Sequence, residues 1–264
     1  MTMRVAKPSA LSHWRFVFNK NCARLRHRGK IYHPRRFFIY EPLRVVYLSI
    51  PKAACTSIKA ALAKACGIAV ARELEVHQIH SRPEMRLQEG RLDKAAEGYY
   101  KFSFVRNPFE RVVSCYRDKV VASAHPQNPK ANYFSSYAIP MPSHLSFAEF
   151  VKRISAIPDR LADTHFQSQY ALLYDAGQLQ VDYLGRVENL QQDWRPVAEK
   201  FQLSLSLNHS NVSKHNAGSH SDYRCYYTEA LAQLVYERYR RDVEEFGYEE
   251  EYHMLLEFIR RREA

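Results

Sequence analysis

An α/β fold, a parallel sheet with helices on both faces, is predicted by three observations. Apolar runs of strand length alternate with segments of helical period along the chain. The most β-branched run, LRVVYLSI at 43–50, passes through a short turn directly into a helical pattern, the start of a strand–helix crossover. No internal repeat and no Pro- or Gly-rich linker divides the chain. With 264 residues, 46% of them hydrophobic and 25% charged, it is long enough to bury a sizeable core.

Taken in order, residues 1–42 are basic and aromatic without clear periodicity and read as an N-terminal lead-in, leaving 43–264 as a single domain. The strand at 43–50 ends at Pro51. Thr56 or Ser57 is the expected cap of a helix over 58–66, with Gly67 as its stop. An alternating aromatic run at 99–105 predicts a second strand. Asn107-Pro108 then starts a helix over 109–121, with Asn as cap and Pro at the first helical position. Residues 122–145 hold four prolines and read as a long excursion. Helices are expected at 147–154, capped by Ser146, and at 165–174. A strand at 181–187 follows, then a helix at 190–201. A polar loop spans 207–223, one long helix runs from Thr228 to Phe246 and stops at Gly247, and a last helix covers 249–261.

Composition excludes several classes. Thirty-nine Lys+Arg against 28 Asp+Glu leave a formal charge of +11, which suits an anionic partner without identifying one. No stretch approaches the ~20 apolar residues of a membrane-spanning helix, and the N-terminus carries no signal-peptide core. Five cysteines, odd in number and without a CxxC pair, favour free thiols in a reducing compartment. The chain therefore reads as cytoplasmic, at most peripheral at a membrane surface.

Two segments carry the chemistry. In YLSIPKAACTSIK (47–59) a buried strand ends, small residues turn, and a helix opens with two hydroxyls. Amides at such a helix start sit at the positive end of the helix dipole and bind phosphate or sulfate; Lys52 adds a mobile charge. The loop lacks the glycines of G-x-x-x-x-G-K-[ST], and no strand-end Asp is evident to hold Mg²⁺. A routine strand-to-helix turn with a solvated lysine would look the same. The second segment, FSFVRNPFERVVSCYRDK (102–119), makes the anion reading the more specific one. Arg106 sits where a strand ends, and Ser114 follows about two helical turns on. A guanidinium fork and a hydroxyl there suit a second phosphate, although Arg106 could instead pair with Glu110.

IPKAACTSIKAAL and FSFVRNPFERVVSCYRDK together resemble the two cofactor signatures of the sulfotransferases, most closely the carbohydrate branch of chondroitin, dermatan and HNK-1 type and its bacterial relatives. Weaker similarity continues through HFQSQ (165–169) and YLGRVENL (183–190) to the region ending near Tyr248. The resemblance implies a P-loop-like, three-layer fold with a mainly parallel central sheet. It also implies the donor 3′-phosphoadenosine 5′-phosphosulfate (PAPS), with 3′-phosphoadenosine 5′-phosphate (PAP) as product and no metal. By the same resemblance Lys52, Ala53, Ala54, Cys55, Thr56 and Ser57 would hold the 5′-phosphosulfate, Arg106 and Ser114 the 3′-phosphate, and Lys214 a place near it. The implied partner is a carbohydrate acceptor, an anionic polysaccharide suiting the basic charge, and no nucleic acid is expected.

Sulfuryl transfer to a hydroxyl needs a base, and histidine has the right ordinary pKa. His80, then His77, are the candidates between the two motifs; His165 is a third, its surroundings suggesting a structural histidine. Lys52 is expected on the sulfuryl and bridging oxygens. A P-loop-type kinase acting on a small molecule or sugar and a non-catalytic polyanion binder remain the alternatives.

Overall fold

The computed structural model describes residues 35–68, 81–82, 84–122, 145–205, 207 and 222–264. Its strands are β1 (Arg36–Tyr40), β2 (Val45–Leu48), β3 (Ser81–Arg82), β4 (Met85–Glu89), β5 (Tyr100–Val105), β6 (Tyr174–Asp175), β7 (Gln178–Leu179) and β8 (Tyr183–Arg186). Its helices are α1 (Cys55–Ala65), α2 (Pro108–Tyr116), α3 (Phe147–Ser155), α4 (Gln169–Leu173), α5 (Leu190–Lys200), α6 (Glu229–Arg238), α7 (Arg240–Phe246) and α8 (Glu249–Glu263).

Among the described residues one sheet runs in the order β3-β4-β1-β2-β5-β8, and β6 pairs with β7 apart from it. The predicted α/β architecture is present, and its parallel part is the trio β2, β5 and β8. On the other side of β2 the sheet is antiparallel through β1, β4 and β3, so the sheet as a whole is mixed. β1 lies inside the segment read as a lead-in: Phe37 to Tyr40 are buried and paired with β2 and β4, so the folded part begins before residue 43.

Alternation along the strands builds three layers. Phe37, Ile39, Val46 and Leu48 face one side, where they meet residues of α2, α3, α6, α7 and α8. Phe38, Tyr40, Val45 and Tyr47 face the other, against Ile58 and Leu62 of α1 and Trp194 and Val197 of α5. Side chains two apart on a strand share a face, so a central sheet buried on both sides reads as a continuous apolar run. Burying each large side chain contributes roughly 1.5–3 kcal/mol.

Three helix boundaries differ from expectation. α1 starts at Cys55, because Lys52 and Ala54 both take positive φ (70° and 53°) and turn the chain early. Thr56 and Ser57 therefore lie within the first turn, and neither caps it. The helix expected at 165–174 begins only at Gln169: the Asp163 carboxylate accepts from the His165 amide (2.9 Å) and Ser168 caps α4. The long helix from Thr228 breaks at Tyr239, whose buried hydroxyl donates to the Phe166 carbonyl at 2.7 Å.

Candidate active site

Because β2, β5 and β8 are parallel, their carboxyl ends lie along one edge of the sheet, the edge at which open α/β sheets bind ligands. Residues 49–54 leave β2 there, Arg106 and Asn107 leave β5, and Val187 and Glu188 leave β8. Asn107 caps α2 as predicted, its side chain accepting from the Phe109 amide at 2.9 Å. Its own amide donates to Glu188 (2.6 Å). Burial holds the Glu188 carboxyl above the usual carboxylate range.

The Lys52 loop is gripped by two arginines. Arg106 Nη1 donates to the Lys52 carbonyl (3.1 Å), and Arg111 Nε donates to the Pro51 carbonyl (3.0 Å). Both carbonyls are negative ends of peptide dipoles that would oppose an anion, and the guanidiniums neutralise them. The first bond of the α1 ladder runs from the Ile58 amide to the Ala54 carbonyl (3.1 Å), so the amides of the first turn point out of the helix end. Ala53 is fully buried, Thr56 and Ser57 nearly so.

Lys52 and Arg106, expected at opposite ends of one nucleotide, are therefore neighbours across the sheet edge. The second fork nitrogen of Arg106 donates to Glu110 at 2.5 Å, and its backbone exchanges two hydrogen bonds with the Gln169 amide group (2.8 and 2.9 Å). Arg106 Nε is buried and has no hydrogen-bond partner among the described residues. Such an orphaned donor fits a site built for an added acceptor. Ser114, half-buried, lies on α2 four residues beyond Glu110, on the same face.

α2 ends in a wide π turn, Arg117–Val121, a feature that often re-aims side chains at functional sites. It carries Asp118, whose Oδ2 lies 3.3 Å from the Lys52 ammonium and 3.1 Å from that of Lys119. The 163–167 turn closes the group. Arg111, 1% exposed, donates to the Thr164 and Gln167 carbonyls (3.0 and 2.8 Å) as well as to Pro51. In the same turn His165 Nδ1 lies 2.5 Å from Asp163 Oδ1. Burial, then the charges of Lys119 and Lys52, hold the His165 pKa below its ordinary value, against the opposing pull of Asp163.

The structure brings together the Lys52 loop and Arg106, both named from the sequence, and sets Ser114 on the α2 face that carries Glu110. Arg111, Asp118, Lys119, Asp163 and Gln169 were passed over. YRDK and HFQSQ were in plain view, but only the tertiary structure brings them to the loop. His77, His80 and Lys214 lie outside the described residues. Among the described residues no group of three or more His, Cys, Asp or Glu could hold a metal ion, and no helix is long and apolar enough to cross a membrane.

The model of the sulfotransferase family matches residues 35–249, and the chain belongs to that family. Human carbohydrate sulfotransferase 8 is 28% identical over 61% of this chain and 41% of its own length. Human carbohydrate sulfotransferase 14 is 26% identical over 62% of this chain and 46% of its own. Human carbohydrate sulfotransferase 9 is 26% identical over 84% of this chain and 55% of its own. The similarity is thus to the carbohydrate branch, and the chain spans about half the length of the curated relatives it matches. No solved structure matches it.

Proposed function

We propose that the chain transfers a sulfuryl group from PAPS to a hydroxyl of a carbohydrate acceptor. The observation that carries this reading is the convergence of the Lys52 loop and Arg106 at one sheet edge, in a chain of the sulfotransferase family. Lys52 and the amides at residues 53–57 hold the phosphosulfate end. Arg106, with Nε still to be paired, and Ser114 hold the 3′-phosphate, with Lys214 assigned a place near it. A guanidinium carries five N–H donors, so Arg106 can engage a phosphate while keeping the Lys52 carbonyl.

The chemistry asks for electrostatic positioning above all, because the leaving group is already a phosphate. Asp118 shares the Lys52 and Lys119 ammonium groups. When the donor binds, the Lys52 ammonium moves to the sulfuryl and bridging oxygens and stabilises the charge that grows on the leaving oxygen. A histidine takes the acceptor's proton; His80, then His77, are the candidates between the two motifs, and His165 is the third. The relatives' names support a carbohydrate acceptor.

Calorimetry with PAP, with and without Mg²⁺, tests the reading. Binding independent of Mg²⁺ and weakened at least ~10-fold in Arg106→Ala is expected from the loss of a charge-assisted bond. Lys52→Ala should lower turnover more than nucleotide affinity. Binding of ATP only with Mg²⁺ would favour a kinase, and polyanion binding indifferent to both variants would favour a non-catalytic binder.

A further inference from the structure

Resting on the sulfuryl-transfer reading, we propose that His165, oriented by Asp163, is the base that removes the acceptor hydroxyl's proton. The geometry has the three parts such a group needs. The first is orientation: Asp163 Oδ1 lies 2.5 Å from His165 Nδ1 and also accepts the His165 amide at 2.9 Å, so one carboxylate oxygen fixes both the ring and its backbone. With Nδ1–H directed at the carboxylate, the basic lone pair is on Nε2.

The second is proximity to the transferring group. Arg111 bonds the carbonyls on either side of His165 and, through Nε, the carbonyl of Pro51 next to Lys52. One buried side chain thus sets the distance between the histidine's turn and the loop assigned to the donor. The third is access, since the His165 side chain keeps 19% of its surface exposed although Asp163 beneath it keeps 10%. The other histidine among the described residues, His253, is at an exposed position of α8.

The charges around the ring suit the role. Lys52 faces it from the loop, Lys119 from the π turn and Asp163 from its own turn, and burial is the largest influence, so the ring is held neutral and able to accept a proton. Among the described residues, Asp118 lies between the two lysines, and Cys115 of α2 senses the same Lys52, Lys119 and Asp163 charges. An incoming phosphosulfate neutralises Lys52 and Lys119, which raises the proton affinity of His165 when the base is needed.

The step balances. The acceptor oxygen forms a bond to sulfur while the bond from sulfur to the bridging oxygen breaks, its electron pair going to the 5′-phosphate of the PAP product. The hydroxyl proton passes to Nε2, and the imidazolium, stabilised by Asp163, later releases it to water.

The test compares His165→Ala, His165→Gln, Asp163→Asn, His80→Ala and His77→Ala in the full chain, with turnover from labelled PAPS to a carbohydrate panel and PAP affinity measured in parallel. If no sugar is sulfated, sulfate release to water supplies the same comparison. His165→Ala is expected to lose at least ~100-fold in kcat, with PAP affinity within threefold and activity partly restored by added imidazole. If it loses affinity, His165→Gln, which keeps bulk and a donor for Asp163, takes its place. Asp163→Asn should lower kcat and move the acid limb of the pH profile to lower pH, since the carboxylate raises the histidine's pKa. A His165 variant within tenfold of wild type, or a hundredfold loss in His80→Ala or His77→Ala instead, overturns this assignment alone. A wild-type chain that neither binds PAP nor releases a sulfuryl group overturns the transferase reading and this one with it.

Discussion

Arg111 shows how much of the site rests on one side chain. Its guanidinium is all but inaccessible and satisfies three backbone carbonyls from two separate turns. Replacing it with methionine keeps bulk and leaves all three carbonyls without their donor. A buried acceptor so orphaned costs about 1–3 kcal/mol, and two of the three lie at partly buried positions, so Arg111→Met should destabilise the fold by about 3 kcal/mol, read from the urea midpoint. PAP affinity should fall as well, because the Lys52 loop loses its anchor. Little in the sequence announces this. An arginine between Glu110 and Val112 in an amphipathic helix reads as a surface residue, and only the neighbouring turns make its place interior. Arg106 was legible because it stands at a strand end, where position alone carries meaning.

Elements whose ends are set by local chemistry were readable, and those set by distant partners were not. Asn107, Ser146 and Thr228 cap their helices as expected, each by accepting a nearby amide with its own side chain. The late start of α4 and the break between α6 and α7 depend instead on one another. Asp242 of α7 accepts from the amides of Gln169 and Tyr170, both at 2.8 Å, from a position with no solvent exposure. Burial pushes its carboxyl up to about 6, from an ordinary 3.8. Between those values the folded protein binds more protons than the unfolded chain, so this group's contribution to stability falls as pH rises through the window and the full cost stands above about pH 6. Two pKa units correspond to about 3 kcal/mol. Asp242→Asn should therefore be less stable than wild type at pH 4, having lost one of two acceptors, and the gap should narrow toward pH 7. Paired denaturant titrations at the two pH values check this; a constant gap would remove the titration from Asp242. The strands β1 and β4 went unread for a related reason. RFFIY sits in a basic, aromatic stretch, and MRLQE is only half apolar; both become strands by pairing with each other.

At the scale of the whole molecule the surplus of positive charge acts on rates. A chain with formal charge +11 attracts a polyphosphorylated nucleotide over distances comparable to the Debye length, about 8 Å at physiological salt. The association rate of PAP, followed by stopped flow, should fall steadily between low and high ionic strength, while the dissociation rate changes much less. A dissociation rate that carried most of the salt effect would place the charge contribution in the bound contacts alone. The three-layer plan serves this by bringing the two cationic turns together at the sheet's carboxyl edge.

The left-handed backbone at Lys52 and Ala54 has a consequence for anyone wishing to harden the molecule. Glycine at residue 54 would relieve a conformational penalty of roughly 1–2 kcal/mol, and a stability screen would reward it. The same change would let the loop proposed to hold the donor wander among shapes that alanine forbids, so on that reading the tougher variant would be the slower catalyst.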